Sequence, residues 1–149
     1  MDNAIDNKDV LLVEDDPQGL DLYTILLTLR GYNATACKDG YEARKAYDEK
    51  KGAFRFIMTD GYYPGGDSME LIKHVRLKDK TIPIMLLSGT LGDWLAGTRG
   101  TMDFSRMIVR NKAGSSLKIV KGFSALDRLP HKPKSRFSPN NKPNVFCAA

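Results

Sequence analysis

Short apolar runs alternate along the chain with stretches whose apolar residues return every three or four positions. "VLLV" (Val10 to Val13) is followed at once by three acids, Glu14, Asp15 and Asp16. An apolar run that short, ending in charge, predicts a buried strand whose end meets a polar site. Pro17 then opens a helix in which Leu20, Leu22, Ile25, Leu26 and Leu29 recur at near-helical spacing until Gly31 stops it. "YNATAC" predicts a second strand. "DGYEARKAYDEKKG" predicts an amphipathic helix with Ala43 and Tyr47 on its apolar side and its end at Gly52. "FRFIMTD" predicts a third strand that delivers Asp60 at its carboxyl end. "GYYPGGD" is punctuated as a loop, "SMELIKHVR" as a helix with Met69, Ile72 and Val75 inward, and "IPIMLLS" as a fourth strand ending at Ser88.

Beyond Thr90 the pattern weakens. "LGDWLAGTRGT" reads as a long loop, and "MDFSRMIVRNKAG" sets Phe104, Met107, Ile108 and Ala113 along one helical side. "SLKIV" predicts a short fifth strand ahead of Lys121, and "SALDRL" a last helix cut short by Pro130. From His131 onward the chain is proline-punctuated and poor in apolar residues, which predicts a disordered tail. The organisation is therefore an N-terminal tail over 1–8, one domain over 9–130 with an extended loop at about 89–101, and a basic tail over 131–149. Strands that alternate with helices predict an α/β fold, a parallel sheet with helices on both faces, and ligands beyond the carboxyl ends of its strands.

The length of 149 residues suits a single core. There is no apolar run of membrane-spanning length and no secretory signal pattern at the start, which predicts a soluble, cytoplasmic protein without membrane partners. The net charge of +5 conceals an asymmetry: residues 1–90 carry 12 Lys and Arg against 15 Asp and Glu, and residues 91–149 carry 11 against 3. The basic part has no helix-turn-helix pattern, and Pro, Ser and Asn dilute its charge, so it reads as a solvated tail and not as a nucleic-acid surface. Cys37 and Cys147 form no metal cluster or disulfide framework, and Cys37, in a predicted strand, reads as a buried inert thiol. His74 and His131 fit no metal or triad geometry and are predicted to face solvent. Trp94 is predicted to pack on the core.

Placed side by side, the strand ends gather Glu14, Asp15, Asp16, Asp60, Ser88 and Lys121. Clustered carboxylates repel and are costly to bury unless a cation sits among them. Asp15 and Asp60 offer the hard oxygen ligands that Mg2+ prefers. A carboxylate can also attack phosphorus, provided the charge on the transferred oxygens is neutralised, here by Mg2+, the Lys121 ammonium and the Ser88 hydroxyl.

"LLVEDDP", "MTDGYYPGGDSMEL", "IPIMLLSG" and "IVKGFSALDRL" resemble, in order and spacing, the receiver domain of two-component response regulators, over roughly residues 9 to 129. The resemblance implies a flavodoxin-like three-layer sandwich with a five-stranded parallel sheet in the order 2-1-3-4-5. It implies Asp60 as phosphoacceptor, Asp15 as direct Mg2+ ligand, Glu14 as an acid acting through metal-bound water, and the backbone carbonyl of Tyr62 as a further ligand. Ser88 and Lys121 would contact the phosphoryl group, with Lys112 the rival for the lysine role. The donor would be a sensor histidine kinase or a histidine phosphotransfer protein, and the output protein interaction or phosphorelay from a single-domain regulator. Receivers of this kind catalyse their own phosphorylation and dephosphorylation without being conventional enzymes.

The chain also departs from the family pattern. Gly61 follows Asp60 where an apolar residue is usual, and is expected to loosen the strand end. Tyr62 is bulky at a position that controls water access. Gly122 stands where proline usually follows the lysine, and Lys118 where many receivers keep an aromatic switch residue. The span from Ser88 to Lys121 is some ten residues longer than usual. These departures leave an alternative open, a degenerate receiver that binds proteins without phosphorylation.

Overall fold

The computed structural model describes residues 7–63, 66–90, 92, 96 and 106–129. The elements run β1 (Asp9–Val13), α1 (Pro17–Leu29), β2 (Asn33–Cys37), α2 (Gly40–Glu49), β3 (Phe56–Asp60), β4 (Tyr62–Tyr63), β5 (Gly66–Asp67), α3 (Ser68–Arg76), β6 (Ile84–Ser88), β7 (Met107–Asn111) and α4 (Ser116–Arg128). Five strands form one sheet in the order β2-β1-β3-β6-β7, every neighbouring pair parallel. The two-residue strands β4 and β5 pair antiparallel on their own, within the segment expected to be a loop. With them set aside, the order is the expected 2-1-3-4-5.

Alternation along the strands builds two cores. Leu11, Val13, Ile57, Ile84 and Leu86 face α2 and α3, meeting Ala43, Tyr47, Leu71, Ile72 and Val75. Val10, Leu12, Phe56, Met58, Met85 and Leu87 face the other way, toward Tyr23 and Leu27 of α1 and Ile119, Phe123 and Leu126 of α4. Because both faces are covered, β1, β3 and β6 are buried at nearly every position and each carries three or four consecutive apolar residues. Helix starts follow local chemistry. Asp16 caps α1 by accepting from the Gly19 amide at 2.9 Å with Pro17 in the first turn, and Asp39 caps α2 by accepting from Glu42 at 2.8 Å.

The last third of the domain differs from the sequence expectation. The segment expected to be helical around Met107 and Ile108 is β7, the fifth strand, and "SLKIV", expected to be that strand, opens α4. As an edge strand β7 is only half-buried, so it lacks the solid apolar run of the central strands. In α4 the buried residues Ile119, Phe123 and Leu126 fall at helical spacing, while Leu117 is exposed. In α3, Leu71 is buried and Met69 only half-buried. His74 is not open to solvent as expected: it is half-buried, with Nε2 2.9 Å from Asp48 Oδ1 across the α2–α3 seam. Trp94, His131, Pro130, Cys147, both tails apart from residues 7 and 8, and most of the expected loop at 89–101 lie outside the described residues.

Candidate functional site

Sheet register brings the site together. Val13 pairs with Thr59, so the next residues, Glu14 and Asp60, stand side by side past the ends of β1 and β3. Asp60 pairs with Leu87, and Ser88 with Asn111, which sets Ser88 beside the turn that begins at Lys112. The Lys112 amide donates to the Ser88 carbonyl at 3.2 Å.

At this edge Lys112 Nζ lies 2.6 Å from Asp60 Oδ2 and 2.6 Å from Glu14 Oε2. Glu14 is almost wholly buried, at 1% exposure, and Asp60 is buried at 8%, whereas Asp15 is exposed. Burial pushes the Glu14 carboxyl above its usual range, against the opposing pull of Lys112 and of the Asp16 amide, which donates to Glu14 Oε1 at 3.1 Å. For Lys112 burial disfavours the charge, but the bonds to Asp60 and Glu14 outweigh it and push the ammonium up to about 12. Tyr23, buried on α1, is pushed up by its own burial and also feels Lys112, Glu14 and Asp60.

The lysine assignment is therefore corrected. Lys121 does not reach the strand ends: it is exposed in the middle of α4, and Lys112 occupies the place expected for it. The cause lies in the misread segment, since moving the fifth strand from "SLKIV" to "MIVRN" changes which lysine follows it. The overlooked signal was an apolar run, "MIV", closed by polar residues and the turn around Gly114, a shorter version of "VLLVEDD". Lys112 is nine positions nearer Ser88 than Lys121 is, which removes most of the extra length attributed to the loop. Gly122 and Lys118 also belong to α4 and do not flank the site lysine. Ala113 follows Lys112, and Val109 stands three before it.

The other expected residues fall as follows. Glu14, Asp15 and Asp60 each offer a carboxylate oxygen, and these three atoms lie within 4.8 Å of one another. Ser88 is buried at the end of β6, its hydroxyl accepting from the Thr90 amide at 3.2 Å. Tyr62 is exposed just past Asp60. Asp16 is the cap of α1 and lies outside the three-oxygen cluster. Gly61 does not loosen the strand end: its amide donates to the Leu87 carbonyl at 2.7 Å and its carbonyl accepts from Ser68.

Three carboxylates against one ammonium leave a negative excess that matches a divalent cation. Hard oxygen donors, one of them exposed, suit Mg2+, which keeps part of its water shell. The residues present thus fit that ion.

The family model for the response regulator receiver domain matches residues 10–109. The transcriptional activator protein PfeR of Pseudomonas aeruginosa is 32% identical over 135 residues, which covers 85% of this chain and 42% of PfeR. The chain thus spans less than half the length of that relative. Among solved structures, the non-phosphorylated HemR receiver domain of Leptospira biflexa superposes with a TM-score of 0.70 at 21% identity, covering 85% of this chain and 98% of that one. The response regulator TrrA of Thermotoga maritima, solved in complex with Mg2+-BeF, superposes with a TM-score of 0.60 at 23% identity over 79% of this chain and 97% of its own. No helix among the described residues is long and apolar enough to cross a membrane.

Proposed function

The chain belongs to the response regulator receiver family, and on that footing we propose that Asp60 accepts a phosphoryl group in a Mg2+-dependent reaction. The observation that carries this reading is Lys112, whose ammonium sits 2.6 Å from the carboxylate of Asp60 and 2.6 Å from that of Glu14 at the carboxyl edge of the sheet. A buried carboxylate held beside an ammonium and an open, acid-lined rim can attack phosphorus without building up charge that nothing offsets.

In the proposed reaction an oxygen of Asp60 forms a bond to phosphorus. The bond from phosphorus to the donor's imidazole nitrogen breaks, its electron pair stays on that nitrogen, and the freed imidazole takes up a proton from solvent. Bound Mg2+ would supply positive charge to the transferred phosphoryl oxygens. Asp15, Asp60 and the Tyr62 carbonyl would hold the ion, with Glu14 acting through water. Lys112 takes the role first expected of Lys121: it orients Asp60 beforehand and then turns its ammonium to a phosphoryl oxygen, and the Ser88 hydroxyl donates to another. The donor is a histidine kinase or histidine phosphotransfer protein, the setting is the cytoplasm, and the output is protein interaction or phosphorelay.

Incubation with Mg2+ and a small acyl phosphate, followed by intact mass, tests this. The expected result is one phosphoryl adduct that Asp60→Asn abolishes. No adduct, or one that survives Asp60→Asn, defeats it.

One observation keeps the binding-module alternative in view. Val109, half-buried against the core on the α2–α3 side, holds the position three before the lysine and carries no aromatic ring. Phosphorylation at Asp60 would then be expected without a ring movement at that position. A protein that binds its partner equally well with and without the adduct would favour the alternative.

A further inference from the structure

The segment directly behind Asp60 is tied down more firmly than a loop needs to be. The Gly61 amide carries the β3–β6 pairing one residue past Asp60, donating to the Leu87 carbonyl at 2.7 Å. The Gly61 carbonyl accepts from both the amide and the hydroxyl of Ser68, each at 3.1 Å. Ser68 is wholly buried and is the first residue of α3. Its hydroxyl reaches back seven residues to the strand end.

A second anchor lies on the other side of Tyr62. Tyr63 is buried against the start of α2, where a Cβ added to Gly40 would stand 2.8 Å from Cε2 of the ring and 3.1 Å from its hydroxyl. Only a residue without a side chain lets the ring sit there. Tyr62, between the two anchors, keeps 46% of its surface exposed. The peptide entering Tyr62 is held by Ser68, Tyr62 itself pairs with Asp67 across β4–β5, and the residue after it is seated against Gly40, so the backbone on both sides of Tyr62 is fixed independently of the Tyr62 side chain.

We propose that Ser68 is a positioning residue for the Asp60 site, its double donation to Gly61 aiming the Tyr62 carbonyl at the cation, with Tyr63 in the Gly40 notch as the second anchor. This rests on the reading of Asp60 and Tyr62 given above.

Ser68→Ala keeps the amide donor and loses the hydroxyl. In a Mg2+ titration followed by the amide resonances of Tyr62 and Tyr63, binding is expected to weaken about fivefold, the worth of one buried hydrogen bond. At saturating Mg2+, phosphoryl uptake should return to within about twofold of the unaltered chain, since the reacting carboxylate is untouched. Ser68→Thr, which keeps the hydroxyl, should restore the affinity. A purely structural serine gives a different pattern, a lower melting midpoint with Mg2+ affinity unchanged, and that result overturns the proposal. Gly40→Ala attacks the other anchor without touching Ser68 and carries the test should Ser68→Ala fail to fold; unchanged Mg2+ affinity there also overturns it. An unaltered chain that binds no Mg2+ refutes the Asp60 reading and this proposal together, whereas an unaltered chain that binds while both variants match it refutes this proposal alone.

Discussion

Lys112 is the residue on which the site turns. Its ammonium lies against the buried carboxylates of both Glu14 and Asp60. Lys112→Met should therefore lower stability at neutral pH by about 2 kcal/mol, below the usual cost of breaking a fully buried pair because the lysine is partly solvated. Added Mg2+ should recover part of the loss, and phosphoryl uptake should drop sharply. Lys121→Met, a change on the exposed face of α4, should leave both within error. Chemical denaturation with and without Mg2+, together with intact mass, separates the two lysines. Asp16, the third acid after β1, has a structural task, the cap of α1. Cys37 behaves as the buried thiol the sequence suggested. Burial, then the nearby Glu42 and Asp39, pushes it up to about 11 from an ordinary 9.0. A thiol held above its unfolded value favours the fold while protonated. Its contribution is complete below about pH 9 and is lost as pH rises through about 11, on the order of 2 kcal/mol. In a Cys147→Ser background a thiol reagent should label Cys37 only on unfolding, and Cys37→Ala should flatten the alkaline arm of the stability profile.

At the scale of elements, the reading succeeded where burial is two-sided or periodicity is long. β1, β3 and β6 are buried at nearly every position, and α1 and α2 carry both spacing and caps. It failed at β7 and α4 for one shared reason. An edge strand that is half-buried keeps only a short apolar run, here "MIV", and its neighbouring helix, with Leu117, Ile119 and Val120 close together, shows a run that looks like a strand. The three acids and Ser88 were legible because they follow strands that were read correctly, and the lysine was not because its strand was misplaced. Gly122, first read as a substitute for proline, is buried beside Met85. A Cβ there would meet Met85 Cε, the far end of a flexible side chain that can turn aside. Gly122→Ala therefore sets a helix-propensity gain of about 1 kcal/mol against the smaller cost of moving the Met85 tip. A modest net stabilisation is expected in urea, and a loss of stability there would show that Met85 cannot yield.

Across the whole molecule, the two ends of the sheet do different work. The carboxyl edge holds the acids and Lys112. Near the other edge Asp127 of α4 gathers a clamp: its carboxylate accepts from the Tyr32 hydroxyl and from Arg55 Nε at 3.0 Å, and its main-chain carbonyl accepts from Arg55 Nη2 at 3.3 Å. Burial and Asp127 together hold the Tyr32 phenol well above its usual range. Asp127→Ala should lower stability by about 1–2 kcal/mol, the cost of leaving these partners unmatched, while phosphoryl uptake, at the far edge, remains unchanged. Urea denaturation and intact mass on the same preparation check both halves.

The place of Lys112 in the chain also bears on how the protein is made. Glu14 and Asp60 leave the ribosome early, on strands that pair directly with each other, while the lysine that neutralises them follows Asp60 by 52 positions. Until β7 emerges, the growing sheet carries two adjoining acids at its edge with no partner, and closing it works against their repulsion. Among the described residues β7 is the last strand of the sheet, so the strand that supplies its edge also brings the counter-charge, and α4 follows to close the second core.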